Sequence, residues 1–308
     1  MNAIVVGTRR SQLALTQTQW VIDRLQEMDP NLHVSLEKIV TKGDRILDVT
    51  LSKVGGKGLF VKEIEQALLE KRIDFAVHSM KDMPGEMPDG LTIGAIPIRE
   101  NPHDCFISQD GRALKEMPAG AVVGTSSLRR QSQILSLRPD LVVKPIRGNL
   151  GTRLDKLKNG TFDAIVLAVA GLARMNMSYD QFDELSVKEM LPAVGQGALA
   201  IQCRADDAAL IERLAQINHE ETARAVQAER SFLQSFQGGC HLPVAGYAEW
   251  MNGEIQLSGL IGDPEGKQMI YGAALGTDPV QVGKKLAQEL QEQGAEDLLD
   301  RVRNGLVG

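Results

Sequence analysis

One arrangement recurs through the first two thirds of this 308-residue chain and limits what it can fold into. An apolar run stops at a polar, basic turn, and an amphipathic segment follows. "AIVVG" (3–7) leads to Arg9, Arg10 and Ser11 of "GTRRS", and "IDFAVHS" (73–79) to Lys81 and Asp82. "AVVG" leads to Thr125, Ser126, Ser127, Arg129 and Arg130 of "GTSSLRR". "LVVKPI" leads to Arg147, Gly148 and Arg153 of "IRGNLGTR", and "DAIVLAVA" to Arg174. After the first turn, Leu13, Leu15, Trp20, Val21, Ile22 and Leu25 recur roughly at helical spacing, with Ser11 where an N-cap belongs. Repeated strand–helix alternation predicts α/β units with parallel strands.

The last third reads differently. "ETARAVQAERSFLQSF" (221–236) is helical, then "VAGYAEWM", "EIQLSGLIG" and "QMIYGAALG" form three strands, two of them joined by a hairpin at Asn252-Gly253. One helix over 280–302 closes the chain. The length exceeds what one core usually serves. "IPIRENPHD" (96–104) and "LPAVGQGALAIQC" (191–203) break the periodicity and are placed to carry the chain out of the first α/β region and back. The expected division is a first α/β lobe from 1–98 and 194–217, a second from 99–193, and a smaller C-terminal α+β domain from 218–308. Two crossings would form a double hinge with a cleft between the lobes. Two ordinary loops are the alternative.

Composition narrows the function. A net charge of -6 and 4% aromatic residues give no basic field or stacking platform for nucleic acid. No apolar run reaches membrane-spanning length. The three cysteines, Cys105, Cys203 and Cys240, form no CxxC pair, and the histidines show no ligand spacing, so no metal is expected. The odd cysteine count and the lack of a secretion-type leader predict a reducing, cytoplasmic setting. "KVGGKGLF" (53–60) fails the phosphate-loop pattern, because Gly58 stands where Ser or Thr is needed; a glycine loop presenting Lys53 and Lys57 is the better reading. "GTRRSQ" lacks the dinucleotide GxGxxG.

The carboxyl ends of strands are where open α/β sheets bind ligands. Helix N-termini there present free N–H groups, and arginine offers a planar fork for carboxylate or phosphate. Basic turns at those ends therefore predict a cleft for a polyanion, against the alternative of ordinary solvated arginines. Asp82 is the one acid in these turns. It can accept from an N–H donor or stabilise a developing cation; a salt bridge or cap is the plain alternative. Cys240 lies in "FQGGCHLP", a flexible setting for a residue usually buried. His241 beside it is a poor activating partner, since neighbours on an extended strand face opposite ways.

Nine segments together resemble the porphobilinogen deaminase family: "GTRRSQLAL", "VTKGD", "KVGGKGLFVKEIE", "AVHSMKDMP", "VGTSSLRRQ", "RGNLGTRLDKL", "DAIVLAVAGLAR", "LPAVGQGALAIQCR" and "AERSFLQSFQGGCHLPV". The resemblance implies two lobes related to periplasmic binding proteins plus a third domain. It implies a dipyrromethane cofactor attached to Cys240 by a thioether. On that primer four porphobilinogen molecules are condensed head to tail with loss of ammonia, and the linear tetrapyrrole hydroxymethylbilane is then released. Asp82 would be the catalytic acid, pairing with pyrrole N–H groups and stabilising an azafulvene-type cation. Lys81, Asp82, Thr125, Ser127, Arg129, Arg130, Arg147, Gly148 and Gln196 would hold the cofactor. Arg9, Ser11, Gln17, Arg153 and Arg174 would hold substrate, Lys53 and Lys57 would sit on a lid, and the protein would be a monomer. Departures from the family pattern are His103, Gln237 and Leu242, none of which touches the chemistry. A non-catalytic two-lobed polyanion binder would explain the arginines but not Cys240, and a Cys240 thiol-nucleophile enzyme is the third reading.

Overall fold

The computed structural model describes residues 3–45, 61–177, 182–236 and 242–305. The first part of the chain forms β1 (Ala3–Arg9), α1 (Gln12–Met28), β2 (His33–Ile39), α2 (Lys42–Arg45), α3 (Lys62–Leu69), β3 (Phe75–Ser79), a 3-10 turn (Met80–Asp82) and β4 (Leu91–Ala95). Next come β5 (Asp104–Ser108), β6 (Val122–Gly124), α4 (Leu128–Leu137), β7 (Val142–Lys144), α5 (Leu150–Lys158), β8 (Ala164–Ala168), α6 (Val169–Arg174) and β9 (Asp183–Leu185). The rest is β10 (Leu199–Arg204), α7 (Ala208–Ala215), α8 (Glu220–Ser235), β11 (Val244–Met251), β12 (Glu254–Gly262), β13 (Met269–Gly276), α9 (Pro279–Glu292) and α10 (Ala295–Arg303).

Two five-stranded sheets share one plan, β2-β1-β3-β10-β4 and β7-β6-β8-β5-β9. Each has three parallel strands followed by one antiparallel strand, β10 against β3 and β5 against β8. The all-parallel expectation is therefore corrected: both sheets are mixed. The physical reason is the crossing of the chain. β5 is the first strand after the chain leaves the first sheet and β10 the first after it returns, and each enters its new sheet from the opposite end. Alternate residues of the strands feed cores on both faces, as covering helices require. Phe75 and Val77 pack with Val21, Leu25 and Leu214, while Ala76 packs with Ile64 and Leu68 on the other side. Phe106 and Val166 lie on one face of the second sheet, with Ile107 and Leu167 on the other.

The third sheet is the antiparallel meander β11-β12-β13, with Phe232, Phe236, Leu257 and Leu286 in its core. Asn252 and Gly253 both have positive φ, 53° and 84°, the geometry of the primed hairpin turn read from the sequence. The expected single closing helix is two. Gly294 at φ 92° breaks it, taking the left-handed conformation that ends α9 and starts α10.

Candidate active site

The basic turns all sit at the carboxyl ends of the parallel strands, and the two crossings, between β4 and β5 and between β9 and β10, run beside them. On the first sheet, β3 runs into the 3-10 turn that carries Lys81 and Asp82, both half-buried. Gly195, at φ +72°, lies against this turn so closely that an added Cβ would fall 2.4 Å from the Met80 Cγ. On the second sheet, Ser127 caps α4 by accepting from the Arg130 N–H at 3.4 Å. That cap places Arg129 and Arg130 in the first helical turn, both buried.

What makes two buried guanidiniums tolerable is Asp104, a residue the sequence reading missed. It opens β5 with no solvent exposure. Arg130 donates to its Oδ1 through Nη2 at 2.7 Å and Nε at 3.2 Å, and Arg129 Nη1 lies 2.7 Å from its Oδ2. Although burial opposes ionisation, the two arginines hold the Asp104 carboxyl well below the usual carboxylate range. Gln196, on the returning crossing, donates to the same Oδ1 at 2.9 Å and accepts from Lys81 Nζ at 3.3 Å. A hydrogen-bonded chain thus joins Lys81 of the first sheet to Asp104 and the arginines of the second. The only sequence signal for Asp104 was an acid at the head of an apolar run, "DCFIS", inside a segment read as a breaker.

Burial, with the charge of Arg130 close by, lowers the Lys81 pKa to about 8, while Asp82 and Asp104 pull it back up. Arg153 is lowered to about 10 by burial and by Arg130 and Arg147, with Asp82 opposing. These couplings place Lys81, Arg129, Arg130, Arg147 and Arg153 in one cluster, in which Asp82 and Asp104 supply opposing charge among the described residues. Arg153 Nε donates to the Gly148 carbonyl at 2.9 Å, and its terminal amino groups have no acceptor among the described residues. No hydrogen bond reaches the Asp82 carboxylate among the described residues either. Among the described residues, buried and half-buried cations around one carboxylate without a hydrogen bond fit a ligand with several carboxylates and an N–H donor, which is the chemistry of dipyrromethane and porphobilinogen.

The other predicted residues divide. Thr125 is buried, its Oγ1 accepting from the Ser127 N–H at 3.2 Å, so both belong to the turn that shapes the α4 N-terminus. Gln17 is buried and donates to Ser79 Oγ at 3.1 Å, at the end of β3. Ser11 caps α1, accepting from the Ala14 N–H at 3.3 Å. Arg9 ends β1 near His78, whose pKa is lowered to about 4 by burial and, to a smaller extent, by that charge, against a hydrogen bond to Gln202. Arg174 donates to the Gly197 carbonyl at 2.7 Å, on the returning crossing, and burial lowers its pKa to about 10. Cys240, Lys53 and Lys57 lie outside the described residues. Cys105 and Cys203 are buried free thiols pushed up to about 12 and about 11 by burial, unsuited to nucleophilic work. No group of potential ligands for a metal ion occurs among the described residues.

Several known proteins are similar to this chain. The family described as "Porphobilinogen deaminase, dipyromethane cofactor binding domain" matches residues 4–212, and "Porphobilinogen deaminase, C-terminal domain" matches residues 223–292. A porphobilinogen deaminase of Brevibacillus brevis is 58% identical over 298 residues, 96% of each chain. That of Bacillus subtilis is 55% identical over 309 residues, covering 99% of this chain and 98% of the relative. Among solved structures, an arginine-specific periplasmic binding protein of Salmonella typhimurium covers 72% of this chain and 94% of its own at 13% identity and TM-score 0.43. A periplasmic aliphatic sulphonate binding protein from Escherichia coli covers 76% of this chain and 70% of its own at 12% identity and TM-score 0.42. With two domain matches in order and relatives above half identity over nearly its full length, the chain belongs to the porphobilinogen deaminase family.

Proposed function

We propose that the cleft between the first two sheets carries out the family's condensation of four porphobilinogen molecules, with Asp82 as its catalytic acid and Cys240 as the attachment point of dipyrromethane. The observation that carries this reading is the Asp82 carboxylate: half-buried, free of hydrogen bonds among the described residues, and set beside Lys81 and Arg153. Lys81, Thr125, Ser127, Arg129, Arg130, Arg147, Gly148 and Gln196 hold the cofactor, which when bound supplies the pyrrole carbon that the first substrate ring joins.

Each porphobilinogen brings two carboxylates and one pyrrole N–H. Arg147 and Arg153 take carboxylates as charge-assisted pairs, stronger here than in water because the cluster is desolvated. Arg9, Ser11, Gln17 and Arg174 extend the pocket for later rings, and Lys53 and Lys57 cover it. Asp82 accepts from the substrate N–H. As ammonia leaves the aminomethyl carbon, positive charge spreads into that ring and the fixed carboxylate stabilises it. Asp82, with no hydrogen bond among the described residues, is the carboxylate that takes the proton lost after carbon–carbon bond formation. The lobes at 1–98 with 194–217 and at 99–193 move about the double crossing as the chain grows, and 218–308 carries the tether. The protein works as a cytoplasmic monomer; among the described residues no helix is long and apolar enough to cross a membrane.

The test is Asp82→Asn, which keeps shape and removes charge. Intact mass should still exceed the sequence mass by one dipyrromethane, while turnover falls by about 10²–10⁴. Near-normal turnover would remove Asp82 from catalysis. Cys240→Ala should yield protein at the bare sequence mass; a pyrrole still bound covalently would place the attachment elsewhere.

A further inference from the structure

The active site leaves unexplained why α8, a helix of the C-terminal part, is pressed against the segment that carries Asp82. Val226, Arg230 and Gln234 stand four residues apart and share one face of α8. Val226 packs in a buried cluster with Met80 and Met83. Arg230 Nη2 donates to the backbone carbonyls of Pro84 at 2.8 Å and Gly85 at 3.1 Å, and its Nη1 lies 3.8 Å from the Met80 sulfur. Gln234 Nε2 donates to the same Gly85 carbonyl.

The segment they grip is the 3-10 turn and its exit. The Met83 N–H returns to the Met80 carbonyl at 3.1 Å. Three residues per turn put Met80 and Met83 on one side and leave Lys81 and Asp82 to the other. Burial follows that split: Met80 and Met83 are 1% and 4% exposed, whereas Lys81 and Asp82 are only half-buried. α8 therefore holds the back of the turn whose front carries the acid.

Packing alone does not call for an arginine at 230. Burial lowers its pKa, and no carboxylate among the described residues pairs with it; two carbonyl oxygens and the Met80 sulfur receive its N–H groups. A desolvated cation without an ionic partner is a cost. What a planar fork provides in return is a fixed direction to two successive carbonyls, which a lysine ammonium on a flexible stem does not.

We propose that Arg230 is a positioning residue for Asp82: by clamping the Pro84 and Gly85 carbonyls it fixes the 3-10 turn, and so the place of the carboxylate, relative to the helix that runs on toward Cys240. α8 ends at Ser235, five residues before that cysteine in sequence (240 minus 235). The inference rests on the reading of Asp82 as the catalytic acid.

The test is a double-mutant cycle on the cofactor-loaded enzyme. Arg230→Met keeps the apolar stem and loses both carbonyl bonds; Arg230→Lys keeps the charge and one bond. We expect Arg230→Met to show the loaded mass and a KM within about twofold of wild type, with kcat lower by about 10- to 100-fold. Arg230→Lys recovers part of the loss. In an Asp82→Asn background Arg230→Met should change residual turnover by less than about twofold, because there is no longer a carboxylate to place. An unchanged kcat for loaded Arg230→Met overturns the proposal. So does a loss in the Asp82→Asn background as large as in wild type, which would mark an independent, merely structural effect. Should Arg230→Met fail to load, the cycle is run with Arg230→Lys and read the same way. Near-normal turnover of Asp82→Asn alone would sink the reading of Asp82 itself, and is seen without any Arg230 variant.

Discussion

The turn after β1 and the turn after β6 hold the same place in their sheets and begin alike. Gly7-Thr8 leads through Arg9 and Arg10 to Ser11, which caps α1; Gly124-Thr125 leads through Ser126 to Ser127, which caps α4. Behind the first turn the buried polar groups are neutral: Thr18 Oγ1 donates to Thr8 Oγ1 at 2.9 Å, and Gln17 bonds Ser79. Behind the second they are Arg129 and Arg130. The second and third helical positions read Leu13-Ala14 in α1 and Arg129-Arg130 in α4. A helix N-terminus is the positive end of its dipole, so cations there are disfavoured, and doubly so when buried. The first turn shows an interior that keeps to the local rules of stability, with neutral partners behind its pocket-facing residues. The second keeps an arrangement that stability opposes, and such a breach of local rules marks function.

The two acids differ in the same way. Asp104 is fully buried and committed to both arginines, whereas Asp82 is half-buried and uncommitted. Replacing each by alanine should give the sharpest contrast. Asp104→Ala leaves two buried guanidiniums without a counter-charge and should lower unfolding free energy by about 3–5 kcal/mol. Asp82→Ala should leave it within about 0.5 kcal/mol while abolishing most turnover. Denaturant melts of the pair read the difference directly. Similar stability losses would erase the distinction between a structural and a chemical acid. Asp104→Asn, which keeps an acceptor for Arg130 and loses only charge, should fall between.

Lys81 after β3 of the first sheet and Arg130 on α4 of the second feel each other, and pH exposes it. With its pKa near 8, Lys81 is charged below that pH and loses its charge above it. Carboxylate binding then weakens as pH rises, so KM for porphobilinogen should climb several-fold above about pH 8. The stability effect has the opposite sign. Between about 8 and the ordinary lysine value of 10.5 the unfolded chain binds a proton that the folded chain has released, so stability gains with rising pH in that window. Lys81→Gln should remove both trends. Arg130→Gln removes a like charge and should move the KM limb to higher pH; a limb that stays put would mean the two residues are electrostatically separate.

Much of this was legible in the chain, for identifiable reasons. Apolar runs and caps gave the parallel triads, since a buried strand and a capped helix each leave a local mark. Asn252-Gly253 gave the hairpin, because few dipeptides accept positive φ twice. The antiparallel strands β5 and β10 were hidden, as their direction is set by which sheet they join and not by their own residues. Asp104 was hidden for the same reason: its partners are 25 and 26 positions away in sequence (129 minus 104, 130 minus 104) and meet it only through the second sheet. The Arg230 clamp joins residues about 145 apart, and nothing near position 230 announces Gly85.

The smallest expected effect belongs to the two matched caps, and it tests the comparison most finely. Ser11 and Ser127 each accept one N–H, from Ala14 at 3.3 Å and from Arg130 at 3.4 Å. Removing an N-cap hydroxyl costs about 1 kcal/mol, so Ser11→Ala and Ser127→Ala should lower stability by similar amounts. Their functional cost should differ. The N–H that Ser11 holds belongs to an alanine packed in the helix, whereas the one that Ser127 holds belongs to Arg130, whose guanidinium donates to Asp104. Fraying the first turn of α4 therefore loosens the Arg130–Asp104 pair, and through Gln196 it reaches Lys81. Ser127→Ala should slow cofactor uptake, whereas Ser11→Ala, in the pocket proposed for later rings, should leave uptake unchanged and raise only KM for porphobilinogen; Ser127→Thr and Ser11→Thr, which keep the acceptor, should restore stability at both caps. Equal losses of cofactor uptake at the two caps would mean that the first turn serves the cofactor as directly as the second, and that its neutral interior helps to hold it.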